Sequence, residues 1–353
     1  MRVFLVENSS TMFTFLKLLR NPVADKIEKI CLDLNLDSDL EVEIFLSKNS
    51  NLKEILNNVP TYKKCYDYYY NFYKQSNFIL ENLESAEEFL DIENLKEIFL
   101  SYKENDDKRN FNIIDSFLTK IEIPHYDRLT SVTGRQKIVN GPQILTLKKE
   151  DRKKIFKNKN LYLLDFSALE PSVLFQILGY SNLDYSDLYS SIKEKLDLKF
   201  ISRADVKLSV LKILYGSSLE HIKEINKEES VKLESFLLNE NFQKFKKTLS
   251  NDLYHNGQLY NFFGKPIISK ECIKDTNFQD YMLINYYIQS TAADLSLILL
   301  SKFLEKNIYH INPLFVIHDA LLFYAKPSFE LKNSLHLEHD IFKIYAKIEH
   351  SNA

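Results

Sequence analysis

Ten residues near the C-terminus restrict the fold more than any other stretch. In FVIHDALLFY, residues 315–324, everything but His318 and Asp319 is apolar or aromatic. Successive strand residues point to opposite faces, so an unbroken apolar run belongs inside a sheet covered on both sides. Residues 315–317 and 321–324 read as two strands, with His318 and Asp319 at the tip of a hairpin. That pair is not a favoured turn sequence; Asn-Gly or Asp-Gly would be. An unpaired buried carboxylate is costly. Asp319 therefore needs a partner from elsewhere in the chain.

Two further stretches offer one. In LYLLDFSALEPSVLFQILG, residues 161–179, a short apolar strand ends at Asp165 and a helix follows, closed by Gly179. Ser167 and Glu170 have the spacing of a capping box, which gives Glu170 a purely structural explanation. Asp165 at a strand end facing Asp319 across a shared cation would remove the cost of both charges. Two carboxylates on neighbouring strand ends suit Mg²⁺, which takes oxygen ligands and often completes its shell with substrate phosphates. In ISRADVKLSVLKILYGSS, residues 201–218, Arg203, Lys207, Leu211 and Tyr215 recur at intervals of four. Each step drifts only about 40° around a helix, so the four form one stripe roughly 18 Å long, ended by Gly216. Two cations and a tyrosine on one face can contact a polyphosphate and its base. A surface helix with incidental charges is the competing reading.

The totals set outer limits. The 353 residues allow two or three domains, and 45% hydrophobic with 27% charged residues is ordinary for a globular chain. No apolar run approaches the length of a membrane span. Polar Glu7 and Asn8 come too early for a secretory signal. A cytoplasmic location is the expectation, for a prokaryotic or phage-encoded chain, with an organelle as the alternative. Cys31, Cys65 and Cys272 are scattered and form no CxxC, which argues against a disulfide framework or a zinc site. A net charge of −3 does not advertise nucleic-acid binding, although residues 147–160 are lysine-rich. That segment reads by itself as a solvated connector. Residues 1–125 read as mainly helical, with periodic stretches such as FTFLKLL and NLKEIFLSYKE, and Pro124 marks a boundary. The aromatic cluster CYDYYYNFY, residues 65–73, reads as a packed helix before a base-stacking platform, and Asp91 and Glu93 as helix surface.

Strand-Asp, then Arg-x₃-Lys-x₇-Tyr-Gly, then hairpin His-Asp, in this order, resembles the three polymerase motifs of family A DNA polymerases, the bacterial DNA polymerase I family. NYYIQSTAADL (285–295), SVTGRQ (131–136) and NGQLYNFFGKP (256–266) resemble further segments of that family. The resemblance covers residues 126–353. It implies an α+β right-hand polymerase with an antiparallel-sheet palm and helical fingers at about 185–280. Residues 1–125 would be a mainly helical N-terminal region, a shortened thumb or a docking domain for a processivity or replisome partner.

Carried over by position, the resemblance implies that Asp165 and Asp319 hold two Mg²⁺ ions, with Mn²⁺ as a substitute, and that the Phe166 carbonyl completes the shell. Arg203 and Lys207 would neutralise the triphosphate, Lys207 also acting as proton donor to pyrophosphate. Tyr215 and Leu211 would flank the incoming nucleotide, and Glu170 would gate against the ribose 2′-hydroxyl. Arg135, Asn285, Gln289 and His318 would contact primer and template, and residues 147–160 the duplex backbone. The partners implied are primed DNA and deoxynucleoside triphosphates, with no proofreading exonuclease recognisable. The chain departs from the family at Ala320, where Glu is usual, at Leu211, at Pro171-Ser172 and at Tyr189, where a phosphate-contacting His is common. A slower, less faithful enzyme is the expectation. The alternatives are a single-subunit RNA polymerase or primer synthase, and a non-catalytic DNA-binding protein of polymerase descent.

Overall fold

The computed structural model describes Tyr68 and residues 72–350, apart from 120–122, 129–130, 158–159, 274–277, 280 and 333. The expectations for residues 13–19, and for the aromatic cluster other than Tyr68, Phe72 and Tyr73, lie outside the described residues.

The centre is a five-stranded antiparallel sheet with the order β6-β7-β3-β9-β8. Its strands are β3 (Leu161–Phe166), β6 (Ile311–Ile317), β7 (Ala320–Ala325), β8 (Ser334–Glu338) and β9 (Lys343–His350). The apolar run forms the expected hairpin, β6 and β7, with His318 and Asp319 between the paired residues Ile317 and Ala320. Pro313 lacks an amide hydrogen, and it falls at a register irregularity of the edge strand β6, where a ladder bond is dispensable. Pleating sorts β3 into two faces. Leu161 and Leu163 join one core with Phe315, Ile317 and Leu322. Leu164 and Phe166 join the other with Val316, Leu321, Phe323, Ala346 and Ile348. Asp165 continues the row of Leu161 and Leu163.

Helices cover both faces. On the Leu161 face lie α2 (Ile92–Glu104), α3 (Lys108–Thr119) and the short α4 (Lys149–Lys154). On the other, α12 (Met282–Asn307) is about 39 Å long at 1.5 Å per residue. It is apolar around most of its circumference because it packs against α1 (Lys74–Glu81) and α5 (Leu169–Ile177) as well as the sheet. Between α5 and α12 come α6 (Leu188–Lys195), α7 (Arg203–Leu214), α8 (Glu220–Lys223), α9 (Lys227–Leu237), α10 (Glu240–Tyr254) and α11 (Lys270–Ile273). Two small hairpins complete the fold: β1 (His125–Asp127) with β2 (Lys137–Asn140), and β4 (Gln258–Tyr260) with β5 (Pro266–Ser269).

Local chemistry explains the boundaries. Helix α7 begins with a reciprocal capping box between Ser202 and Asp205. It ends at Tyr215, and Gly216 follows with φ +73°. The Gly216 and Ser217 amides then bond back to the Ile213 and Lys212 carbonyls, the double closure that suits a left-handed residue. A side chain at Gly216 would also strike the Tyr281 ring, 2.4 Å from an ideal Cβ. Asp91 is more than helix surface: its carboxylate caps α2 by accepting from the Asn94 amide at 3.1 Å.

Candidate active site

Asp165 sits directly opposite Ala320 in the β3–β7 ladder, so Asp319 at the hairpin tip is the next residue along. The two aspartates therefore stand at the same end of two adjacent, interior strands of the sheet. His318 takes φ +56°, a conformation that a two-residue hairpin normally gives to glycine. Strain of this kind persists where the surrounding structure over-determines it, and it concentrates at functional sites. Asp165 is open to solvent on one side. Even so, burial pushes its carboxyl up to about 6, with the charges of Asp319 and Glu349 adding to the effect. Burial also raises the Asp319 carboxyl, against the opposing influence of a backbone hydrogen bond, His318 and Arg135. Two adjacent carboxyls that both resist ionisation form a site that gains by receiving a cation.

The capping box expected of Ser167 and Glu170 does not form. Helix α5 starts after Ala168, which has φ +51° and makes no side-chain cap. The sharp exit from β3 forces this conformation, and Glu170 is left free to point elsewhere. It pairs with Arg135 and accepts from the Tyr215 hydroxyl at 3.2 Å. Burial raises the Glu170 carboxyl, Arg135 opposes this, and Asp319 reinforces it. Arg135, Glu170, Gln289, His318 and Asp319 line one cavity of about 30 Å³, with Ala292, Ala293 and Ser296 of α12 behind them. That volume holds about one water. Five residues predicted from four separate stretches of sequence therefore converge.

Asn285, one turn before Gln289 on α12, does not line this cavity. The Phe166 side chain is buried in the sheet. Helix α7 carries the expected stripe, and Tyr215 links its C-terminal end to Glu170. Leu211 packs partly against the core. Lys207 is exposed and has no ion pair among the described residues. Arg203 is engaged: it donates to Asp187 through Nε at 3.0 Å and Nη2 at 2.8 Å. Its guanidinium also lies 5.5 Å from the centre of the Tyr189 ring.

Several supporting residues carried no local signal. Asp294, inside the QSTAAD segment, is 1% exposed and paired with Arg128, itself 2% exposed. It also accepts from the Tyr68 hydroxyl at 2.9 Å and from Asn261 at 2.7 Å. This network ties α12 to the β1 end, to the aromatic segment and to the NFFGKP turn. Tyr68 is thus a buried partner, and Phe72 packs on Phe263 at 4.9 Å, so these two residues follow the packed-helix reading. Glu229 of α9 is buried and accepts from the successive amides of Lys199, Phe200 and Ile201, fixing the loop before α7. The basic segment is more than a solvated connector. Asp151 is buried and bonded to the Tyr102 hydroxyl at 2.5 Å, and Arg152 is half-buried where its charge reaches Asp165. Regular helix-cap spacing was the one available clue, at Asp187 and at the Asn226–Glu229 start of α9.

No cluster of three or more His, Cys, Asp or Glu side chains suited to a metal occurs among the described residues. The donor set at Asp165 and Asp319 is two carboxylates, both destabilised by burial. This fits Mg²⁺, which is commonly held by one or two carboxylates plus substrate phosphates. No described helix is long and apolar enough to cross a membrane.

No protein-family model and no curated protein matches the sequence. Among solved structures, the POL domain of Pol1 from M. smegmatis, in complex with DNA primer-template and dNTP, aligns at a TM-score of 0.48 with 17% identity. The match covers 64% of this chain and 46% of that one, so the chain spans less than half the neighbour's length. The likeness is too distant to assign a family.

Proposed function

We propose that this chain is a template-directed DNA polymerase of the family A type, adding deoxynucleotides to a primer 3′ end. The observation that supports this reading is the convergence at one end of the central strands β3 and β7. Asp165 and Asp319 stand on adjacent strands, and Arg135, Glu170, Gln289 and His318 line one cavity with Asp319. A scaffold protein has no use for two destabilised carboxylates beside a strained turn. In this reading the five-stranded sheet is the palm, α6 to α11 are the fingers, and residues 1–125 are the mainly helical N-terminal region, whose α1 to α3 pack on α12 and on the sheet.

Asp165 and Asp319 would hold the divalent ions, which supply charge neutralisation at the phosphates and a lowered pKa for the primer hydroxyl. The protein's own side chains do the positioning. Lys207 and Arg203 place positive charge along the triphosphate, and exposed Lys207 is free to give a proton to the leaving group. Glu170, held by Arg135 and Tyr215, walls off the small cavity and so excludes an added 2′-hydroxyl. Gln289 and His318 face the same space and would contact the primer end. Helix α4 extends positive charge from the cleft along the duplex backbone. With Ala320 in place of an acid, Glu349 is the additional carboxylate whose charge acts on Asp165.

The test is extension of a labelled primer on a DNA template with Mg²⁺, comparing dNTPs with NTPs, beside Asp319→Ala. Templated dNTP addition that disappears in the variant is the expected result. Extension with NTPs alone would move the reading to an RNA or primer synthase. No extension with either, in Mg²⁺ or Mn²⁺, would favour the DNA-binding protein.

A further inference from the structure

We infer that Asp187 is a positioning residue that aims the Arg203 guanidinium at the phosphates of the incoming nucleotide. The inference rests on the polymerase reading and adds to it a residue that the motifs do not contain.

The geometry is specific. Asp187 Oδ1 accepts from both Arg203 Nε and Nη2, at 3.0 and 2.8 Å, and Oδ2 lies 3.2 Å from Nε. The carboxylate thus takes one edge of the planar fork. Both Nη1 hydrogens and one on Nη2 remain, which is the end that can grip an anion bidentately. Tyr189 lies on the guanidinium at 5.5 Å and restrains it from one side. An arginine side chain otherwise has wide rotamer freedom, most of which is lost on binding.

Asp187 cannot simply swing away with its partner. It is the N-cap of α6, where Oδ1 accepts from the Ser190 amide at 3.4 Å and Oδ2 from the Ser190 hydroxyl at 2.8 Å. One carboxylate therefore fixes the start of α6 and braces the first residue of α7. The ion pair with Arg203 is the leading cause of the lowered Asp187 pKa, so the brace is charged at neutral pH. Exposed ion pairs usually contribute little, but bidentate geometry on a fixed partner is the recognised exception. Tyr189 gains a role as well. Its ring braces the arginine that would meet the phosphates.

The two duties of Asp187 can be separated. Asp187→Ser keeps a good cap and removes the brace. In steady-state primer extension with saturating primed template, this variant should raise the KM for dNTP about tenfold with kcat changed less than twofold, and its Tm should stay within a few degrees of wild type. Asp187→Asn, which retains an acceptor oxygen, should recover part of the loss. Arg203→Lys should raise KM by a similar factor, and the double variant Asp187→Ser, Arg203→Lys should be no worse than Arg203→Lys alone, because both remove one interaction. An unchanged or lowered KM in Asp187→Ser, or fully additive losses in the double variant, overturns this inference and leaves the polymerase reading in place. A wild-type protein that adds no nucleotide overturns both.

Discussion

Replacing Asp294 by alanine should be among the most damaging single changes in the chain, although the residue touches none of the reacting groups. Asp294 and Arg128 are 1% and 2% exposed, so neither charge has access to solvent. The carboxylate accepts from Arg128, from Tyr68 at 2.9 Å and from Asn261 at 2.7 Å. Its loss leaves a buried guanidinium without a counter-charge, facing the Ser76 hydroxyl at 2.7 Å, the Tyr68 hydroxyl at 2.9 Å and the Tyr73 ring at 4.6 Å. Breaking a buried pair on one side costs about 3–5 kcal/mol. That is a large part of the 5–15 kcal/mol that holds a typical domain together. For a chain of 353 residues, at about 2.1 cal/mol/K of unfolding entropy per residue, it corresponds to a fall in Tm of about 4–7 °C, followed by circular dichroism at 222 nm. The double replacement Arg128→Met, Asp294→Leu removes both charges and fills similar volume, and it should recover most of the loss. A single variant losing less than about 1 kcal/mol, or a double variant no better than the single, would refute the network as the anchor of α12.

Asp165→Asn should abolish primer extension and yet stabilise the metal-free protein. The folded carboxyl, at about 6, lies above its unfolded value of about 3.9, so its ionisation costs stability as pH rises between those values and the cost is complete above them. At pH 7 the gain should be about 1 kcal/mol, since solvent screens much of the penalty, and it should vanish below pH 4. Mg²⁺ should raise the Tm of wild type and not of this variant; equal shifts would sink the metal assignment. Glu170→Ala should admit ribonucleotides, read as NTP against dNTP incorporation; unchanged sugar selectivity would remove the gate. Glu229→Gln should lower stability above pH 5 and raise the KM for dNTP. Burial alone would raise the Glu229 carboxyl, but the Ile201, Lys199 and Phe200 amides hold it below the usual range. Its contribution is therefore lost as pH falls through that lowered value, and wild type and variant should converge in urea melts at acid pH below it. A gap that persists there would mean that packing, and not charge, is what Glu229 supplies.

Features whose physics is local could be read from sequence. The hairpin of FVIHDALLFY follows from an apolar run with two polar residues at its middle, and β3 and its aspartate follow from the same periodicity. The start and stop of α7 are written in Ser202, Asp205 and Gly216, each acting within a few residues of its own position. The stripe from Arg203 to Tyr215 follows from helix geometry alone. The capping box at Ser167 failed because a cap depends on the backbone entering the helix in extended form, and the turn out of β3 places Ala168 in the left-handed region instead.

What only the tertiary structure decided are the pairings between residues far apart in the chain. Glu170 meets Arg135 across 35 positions and Asp294 meets Arg128 across 166. Glu349 reaches Asp165 through strand register. A carboxylate looks the same in sequence whether it faces water, a metal or a guanidinium. The cost of removing it from water is what forces one of these outcomes, and that cost exists only once the chain has closed around it. The sequence determined which groups were available and on which face of each element they stand; packing determined which charges had to meet.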